Sequence, residues 1–157
     1  MKKVFIYTLC LCLVFSSVCI ASAEGGEPVN SELKIINTDD SSSSSGTRAS
    51  GLIRSYSLYI EREGSTLLKV FGLTSCDLNV VKCGFKGLKV QRRLNSSSSW
   101  TTYHDYGNDY HDGDYYAIGY GLTVEPGYQY RVVCKHYAKK NILSIETISN
   151  QTGYVAF

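Results

Sequence analysis

The chain has 157 residues, 43% of them hydrophobic, and carries 16 basic against 14 acidic side chains. That length holds one core of ordinary size, and the near-even charge gives no support for a nucleic-acid partner. The sequence contains no Walker-type loop, G-x-S-x-G or H-E-x-x-H, which removes the commonest signatures of nucleotide, serine-hydrolase and zinc-protease chemistry.

The chain begins with Lys2 and Lys3, an apolar run over 4–20, and Ala21-Ser22-Ala23. A short positive segment, an apolar stretch and an A-x-A site describe a secretory signal peptide over residues 1–23, cleaved before Glu24. The apolar run is slightly short for a membrane span, which needs about 20 residues. Ser16-Ser17-Val18 ahead of Cys19 does not resemble a lipobox. Cleavage removes Cys10, Cys12, Cys19 and both lysines, leaving 134 residues (157 − 23) with 14 bases and 14 acids. The mature protein is expected to be secreted or loosely wall-associated, with no membrane span.

Residues 24–50 hold few large apolar side chains, a run of serines at 41–45, and five acids against two bases. Such a segment buries too little apolar surface to offset its chain entropy. It is expected to be a disordered low-complexity tail ahead of a domain at 51–157, with Leu33, Ile35 and Ile36 its one hint of a strand.

The domain shows period-two alternation, broken at short intervals by Gly, Ser, Asn and Asp, and no sustained helical period. That pattern predicts an all-β antiparallel sandwich of about seven strands. Tyr56, Leu58 and Ile60 share a face of the first strand; Leu68, Val70, Gly72, Thr74 and Cys76 share a face of the second. A third strand runs over 82–94 with Leu88 and Val90 inward, and a fourth, edge-like strand over 100–106. Residues 107–114 read as a loop. Tyr116, Ile118, Tyr120, Leu122 and Val124 face one way, with Ala117, Gly119 and Gly121 opposite, so another element approaches closely there. Glu125-Pro126-Gly127 suits a tight corner; Tyr128, Tyr130, Val132 and Cys134 share the inner face beyond it. Lys139-Lys140-Asn141 reads as a hairpin turn, and the last strand, over 142–157, reads as interrupted around 150–153.

Val124-Glu125-Pro126-Gly127-Tyr128-Gln129-Tyr130 resembles the L-x-P-G-x-x-Y corner between the fifth and sixth strands of fibronectin type III and immunoglobulin-like sandwiches. The resemblance makes Tyr130 the corner tyrosine, its hydroxyl bonded back to nearby backbone. Over 47–157 the chain also resembles a family of small secreted proteins of clostridia and related Gram-positive bacteria, described only as a domain of unknown function. Thr47-Arg48, Val90-Gln91-Arg92, Ser98-Ser99-Trp100-Thr101-Thr102, the stretch from Gly127 to Val132, and His136 carry that likeness, which implies no activity. The chain departs from the immunoglobulin pattern in that Tyr130 precedes Cys134 by four residues and Trp100 follows the third strand.

Cys76, Cys83 and Cys134 remain after cleavage. Export permits disulfides, and in a sandwich the second strand's end, the third's start and the sixth's end meet at one pole. Cys76–Cys134 is the favoured pair on core-facing parity; Cys83 is the alternative partner, and three buried reduced thiols remain a further reading. Residues 103–114 concentrate tyrosine, aspartate and histidine. His104, Asp109, His111 and Asp112 are weak metal candidates: Gly119 stands where a calcium loop needs its last carboxylate, and two histidines seven apart without cysteine make a poor zinc set. No cofactor is expected. Trp100, Tyr103, Tyr106 and Tyr110 form a candidate aromatic platform, since tyrosine-rich loops give large contact area at small entropy cost. Arg92, Arg93, Lys135, Lys139 and Lys140 read as outward sheet positions able to meet an anionic cell-wall polymer. The expected function is therefore non-enzymatic: a binding module for a protein or glycan at the cell surface. The rivals are a self-associating surface protein using the odd cysteine, and a small hydrolase using Asp105, Asp109, Asp112 or Asp114.

Overall fold

A computed structural model describes residues 34–157, as ten strands without a helix. The expected leader at 1–23 and the start of the expected tail lie outside the described residues. The strands are β1 (Lys34–Asn37), β2 (Ser41–Thr47), β3 (Ile53–Glu63), β4 (Leu67–Cys76), β5 (Lys82–Arg93), β6 (Thr101–Asp112), β7 (Tyr115–Thr123), β8 (Gln129–Asn141), β9 (Ser144–Gln151) and β10 (Val155–Ala156). The first sheet has the order β1-β2-β3-β4-β7. In the second, β6-β5-β8 continues into β9 and β10, which both pair with β8. All pairings are antiparallel. From β3 onward this is the strand order of a fibronectin-type-III-like sandwich, with β9 and β10 as one interrupted edge. No helix among the described residues is long and apolar enough to cross a membrane.

Alternation places the core as the sequence implies. Leu58, Ile60, Leu68, Val70, Phe85, Leu88, Val90, Tyr130 and Val132 are buried between the sheets. The corner closes as expected. The Tyr130 hydroxyl donates to the Glu125 carbonyl at 2.8 Å and accepts from the Glu125 N–H at 3.0 Å. Arg92 lies over the rings of Tyr103 and Tyr128, at 4.7 and 4.4 Å, and pairs with Glu125.

The disordered-tail expectation needs correction over 34–50. β2 pairs with β3 along its whole length, and β1 pairs with β2, so the sandwich begins ahead of residue 51 and has ten strands instead of about seven. Serine in β2 is not a mark of solvation: Ser42 and Ser44 are buried, and the Ser44 hydroxyl donates to Asn150 Oδ1 at 2.5 Å. Gly46 is required by close approach, because a Cβ there would meet the Tyr56 ring at 2.5 Å. Beyond β2, Glu146 of β9 pairs with Arg48 and accepts the N–H groups of Leu52 and Ile53. Hydrophobic pattern cannot show a strand whose buried side chains are hydroxyls and hydrogen.

The Cys76–Cys134 disulfide is likewise corrected: all three thiols are buried and unpaired. The sixth strand does not end near Cys134 but runs on to Asn141. Cys76 and Cys83 therefore share a small cluster with Ala138, opposite Cys83. Cys134 lies four residues back along β8, roughly 13 Å at strand rise and beyond the reach of a disulfide. The 139–141 hairpin turn also shifts, to Ile142-Leu143.

Candidate functional site

The stretch expected as a loop at 107–114 is mostly strand, since β6 runs to Asp112. It is an edge strand with one neighbour, β5, and so never shows a fully buried alternation. The four aromatic candidates separate. Tyr103 and Tyr106 turn inward: Tyr103 packs edge-on against Tyr130 and donates to the Thr123 carbonyl at 3.1 Å, and Tyr106 stacks on Tyr120 at 4.5 Å. Trp100 and Tyr110 lie on the outer face of the second sheet, where Arg93 and Arg131 sit 4.5 and 4.4 Å from the Trp100 ring and Tyr110 packs on Tyr137.

The metal and acid–base candidates are similarly dispersed. Asp109 accepts the hydroxyls of Tyr116, at 2.8 Å, and Tyr120, and burial together with that carboxylate holds the Tyr120 hydroxyl protonated. His111 stacks on Tyr116, His104 packs against Tyr106, and Asp112 turns to Lys82 at 3.1 Å. Asp105 pairs with Lys89 at 3.0 Å and accepts the Gly107 N–H, which together hold its carboxyl below the usual range. Among the described residues no group of three or more His, Cys, Asp or Glu is placed to hold a metal. Burial pushes the Cys76, Cys83 and Cys134 thiols up to about 12, 11 and 12, which leaves them inert as nucleophiles.

What alternation does assemble is the outer face of the second sheet. On β5 the outward positions include Lys82, Lys86, Lys89 and Arg93; on β8 they include Arg131, Lys135 and Lys139. The register sets Lys82 opposite Lys139 and Lys86 opposite Lys135 on the two central strands. Like charges directly opposite each other destabilise a sheet. Lys82 and Lys89 are relieved by Asp112 and Asp105, but Lys86 and Lys135 are in no ion pair among the described residues.

Beside that uncompensated rung, β5 carries Gly87 and Leu88 against the single Cys134 of β8. Gly87 adopts φ +61°, a conformation that favours glycine. The bulge opens a depression of about 510 Å³ over Val133, lined by Lys86, Lys89, Lys135, Ser149 and Gln151. Further along, Arg131 and Arg93 donate to Gln91 and Gln129 at 2.9 and 2.7 Å, which orients both guanidinium groups beside Trp100. Arg93, Lys135 and Lys139 are legible in the sequence as scattered bases, whereas Lys86 and Lys89 join them only through the register. Pairing register is the signal that would have found them, and one sequence does not supply it. Arg92, expected at an outward position, is turned inward to the corner.

His136 was not a site candidate, and it is fully buried. The Thr74 hydroxyl donates to the Gly84 carbonyl at 3.2 Å, so its oxygen accepts from His136 Nδ1–H at 2.8 Å. Nε2 then accepts from Asn150 at 3.1 Å, and Asn150 accepts from Ser44. The chain of bonds fixes a neutral tautomer, and burial lowers the His136 pKa to about 3. It ties β2 and β4 of the first sheet to β8, β9 and β5 of the second. Compared with known proteins, the chain matches no family model, no curated protein and no solved structure.

Proposed function

We propose that the protein is a secreted or cell-surface-associated binding module that takes an anionic glycan or cell-wall polymer on the outer face of its second sheet. The observation that carries this reading is the Lys86–Lys135 rung: two cations face each other at the sheet centre, beside a depression rimmed by a third lysine. An arrangement that costs stability in the free protein is relieved by a bound anion, and lysine serves phosphate and carboxylate as a point charge. Neighbouring cations along β5 and β8 extend the footprint for a polymer. The Trp100 ring already carries two guanidinium groups, so the face is better suited to charge than to sugar stacking. Nor does it offer the open aromatic platform on which unpaired bases stack. Covalent self-association is not favoured, because every described thiol is buried.

A screen of neutral and anionic glycans and cell-wall polymers tests this. Anionic members are retained, and Lys86→Glu with Lys135→Glu weakens them about a hundredfold or more, as expected when contacts to charged groups are reversed. Lys69→Glu, on the other sheet, leaves them unchanged. A uniformly negative screen overturns the reading.

A further inference from the structure

We infer that one pole of the sandwich docks on an anionic lipid bilayer, inserting aliphatic side chains from two neighbouring turns while lysines behind them meet the headgroups. This surface is separate from the Lys86–Lys135 depression and goes beyond the polymer-binding role.

The β8–β9 turn is Ile142-Leu143, 82% and 94% exposed, followed by a half-exposed Ile145. The turn after β4 carries Leu78, 94% exposed, and is closed by the Val80 N–H on the Asp77 carbonyl at 2.9 Å; Val81 follows, also half-exposed. These turns share one end of the sandwich, because the Val81 N–H donates to the Lys139 carbonyl at 2.9 Å and Lys82 pairs with Lys139. The hairpin runs on beyond that rung. Two-residue hairpin turns ordinarily take Gly, Asn or Asp. Here neither central residue has positive φ and the Leu143 N–H is held by Asn141 Oδ1 at 2.9 Å, so the turn permits isoleucine and leucine without calling for them. Water does not favour them, and the core has no use for them.

The flanking chemistry selects the occupant. Lys82, Lys139 and Lys140 lie directly behind the turns; Asp77, Glu146 and Asp112 at this end are paired with Arg54, Arg48 and Lys82. Asp114, whose carbonyl accepts the Cys76 N–H there, is in no ion pair among the described residues, so Lys139 and Lys140 supply the free positive charge against that one carboxylate. Protein–protein interfaces anchor on Tyr, Trp and Arg and are depleted of Lys. The turns at 77–81 and 141–145 carry no aromatic and no arginine. Aliphatic tips on a lysine collar match a surface that is apolar within and negatively charged at its boundary.

The full chain, titrated with phosphatidylcholine vesicles with and without phosphatidylglycerol, tests the assignment. Ile142→Ser with Leu143→Ser replaces solvent-exposed turn residues, so the fold stays intact by circular dichroism. Partitioning onto phosphatidylglycerol vesicles then falls about tenfold or more, and Leu78→Ser gives a smaller loss. Lys139→Ala with Lys140→Ala weakens the same binding and flattens its salt dependence. Lys86→Ala with Lys135→Ala weakens polymer binding, by less than the charge reversal does, and spares vesicle binding, which separates the two surfaces. Vesicle binding that is absent from the unaltered chain, or indifferent to Ile142→Ser with Leu143→Ser, overturns the inference. A dimer dissolved by Leu143→Ser, without vesicle binding, would instead assign the turns to a second copy and also overturn it.

Discussion

On the outer face of the first sheet, the rung Ser43, Tyr59, Phe71, Gly119 crosses four strands without a charge. On the second sheet, the central rung sets Lys86 against Lys135. Both faces arise from the same alternation, and both lie outside the same core. The first is finished internally: Phe71 leans on Tyr59 at 5.8 Å and over Gly119, so the close approach expected at the small residues of β7 is that of Phe71 and Leu67. The second is left with repulsion that nothing on β6 or β9 cancels. A fold requires only that outward side chains tolerate water. A face that stores repulsion at its centre is what the proposed anion-binding role rests on.

The comparison holds only while the two sheets stay clamped, and His136 is the clamp most exposed to failure. Its folded pKa of about 3 lies below the unfolded value of 6.5. Above pH 6.5 both states are neutral and the full stability is present. As pH falls from 6.5 towards 3 the unfolded state takes up a proton that the folded state refuses. Stability drops across that window by an amount on the order of 4 kcal/mol. Urea unfolding at pH 7, 5 and 3.5 measures the drop, and His136→Gln, less stable at pH 7, loses that part of the slope.

The corner offers a smaller test. Tyr130→Phe removes the bonds to Glu125 and lowers stability by about 1–2 kcal/mol, read from denaturant midpoints, while polymer and vesicle binding stay unchanged. Unchanged stability would remove the corner's role. Smallest of all, Phe71→Ser on the first face costs about 1 kcal/mol or less, because the ring is 40% exposed, and leaves ligand binding intact. Loss of binding there would show that the wrong face had been assigned.

Much of the core was legible because Tyr56, Leu58, Ile60, Leu88, Val90 and Val132 alternate with polar neighbours in the chain itself. The corner was legible because proline, glycine and tyrosine each act within a few residues. β2 was not: its buried positions are Ser42, Ser44 and Gly46, and their suitability depends on Asn150 and Tyr56, distant in sequence. Nor was β6, whose single neighbour leaves it half wet and whose tyrosines divide between inside and outside. The proposed site was legible only as isolated bases.

The sequence by itself determined which residues face inward on β3, β4, β5, β7 and β8, and where the chain turns the corner into β8, because these depend on local parity and turn chemistry. Tertiary structure alone decided that a serine run is a strand, that Cys134 stands apart from Cys76 and Cys83, and that Lys86 meets Lys135. Each of these depends on register between strands, where a shift of one residue exchanges the faces, and register is set by the whole assembled sandwich.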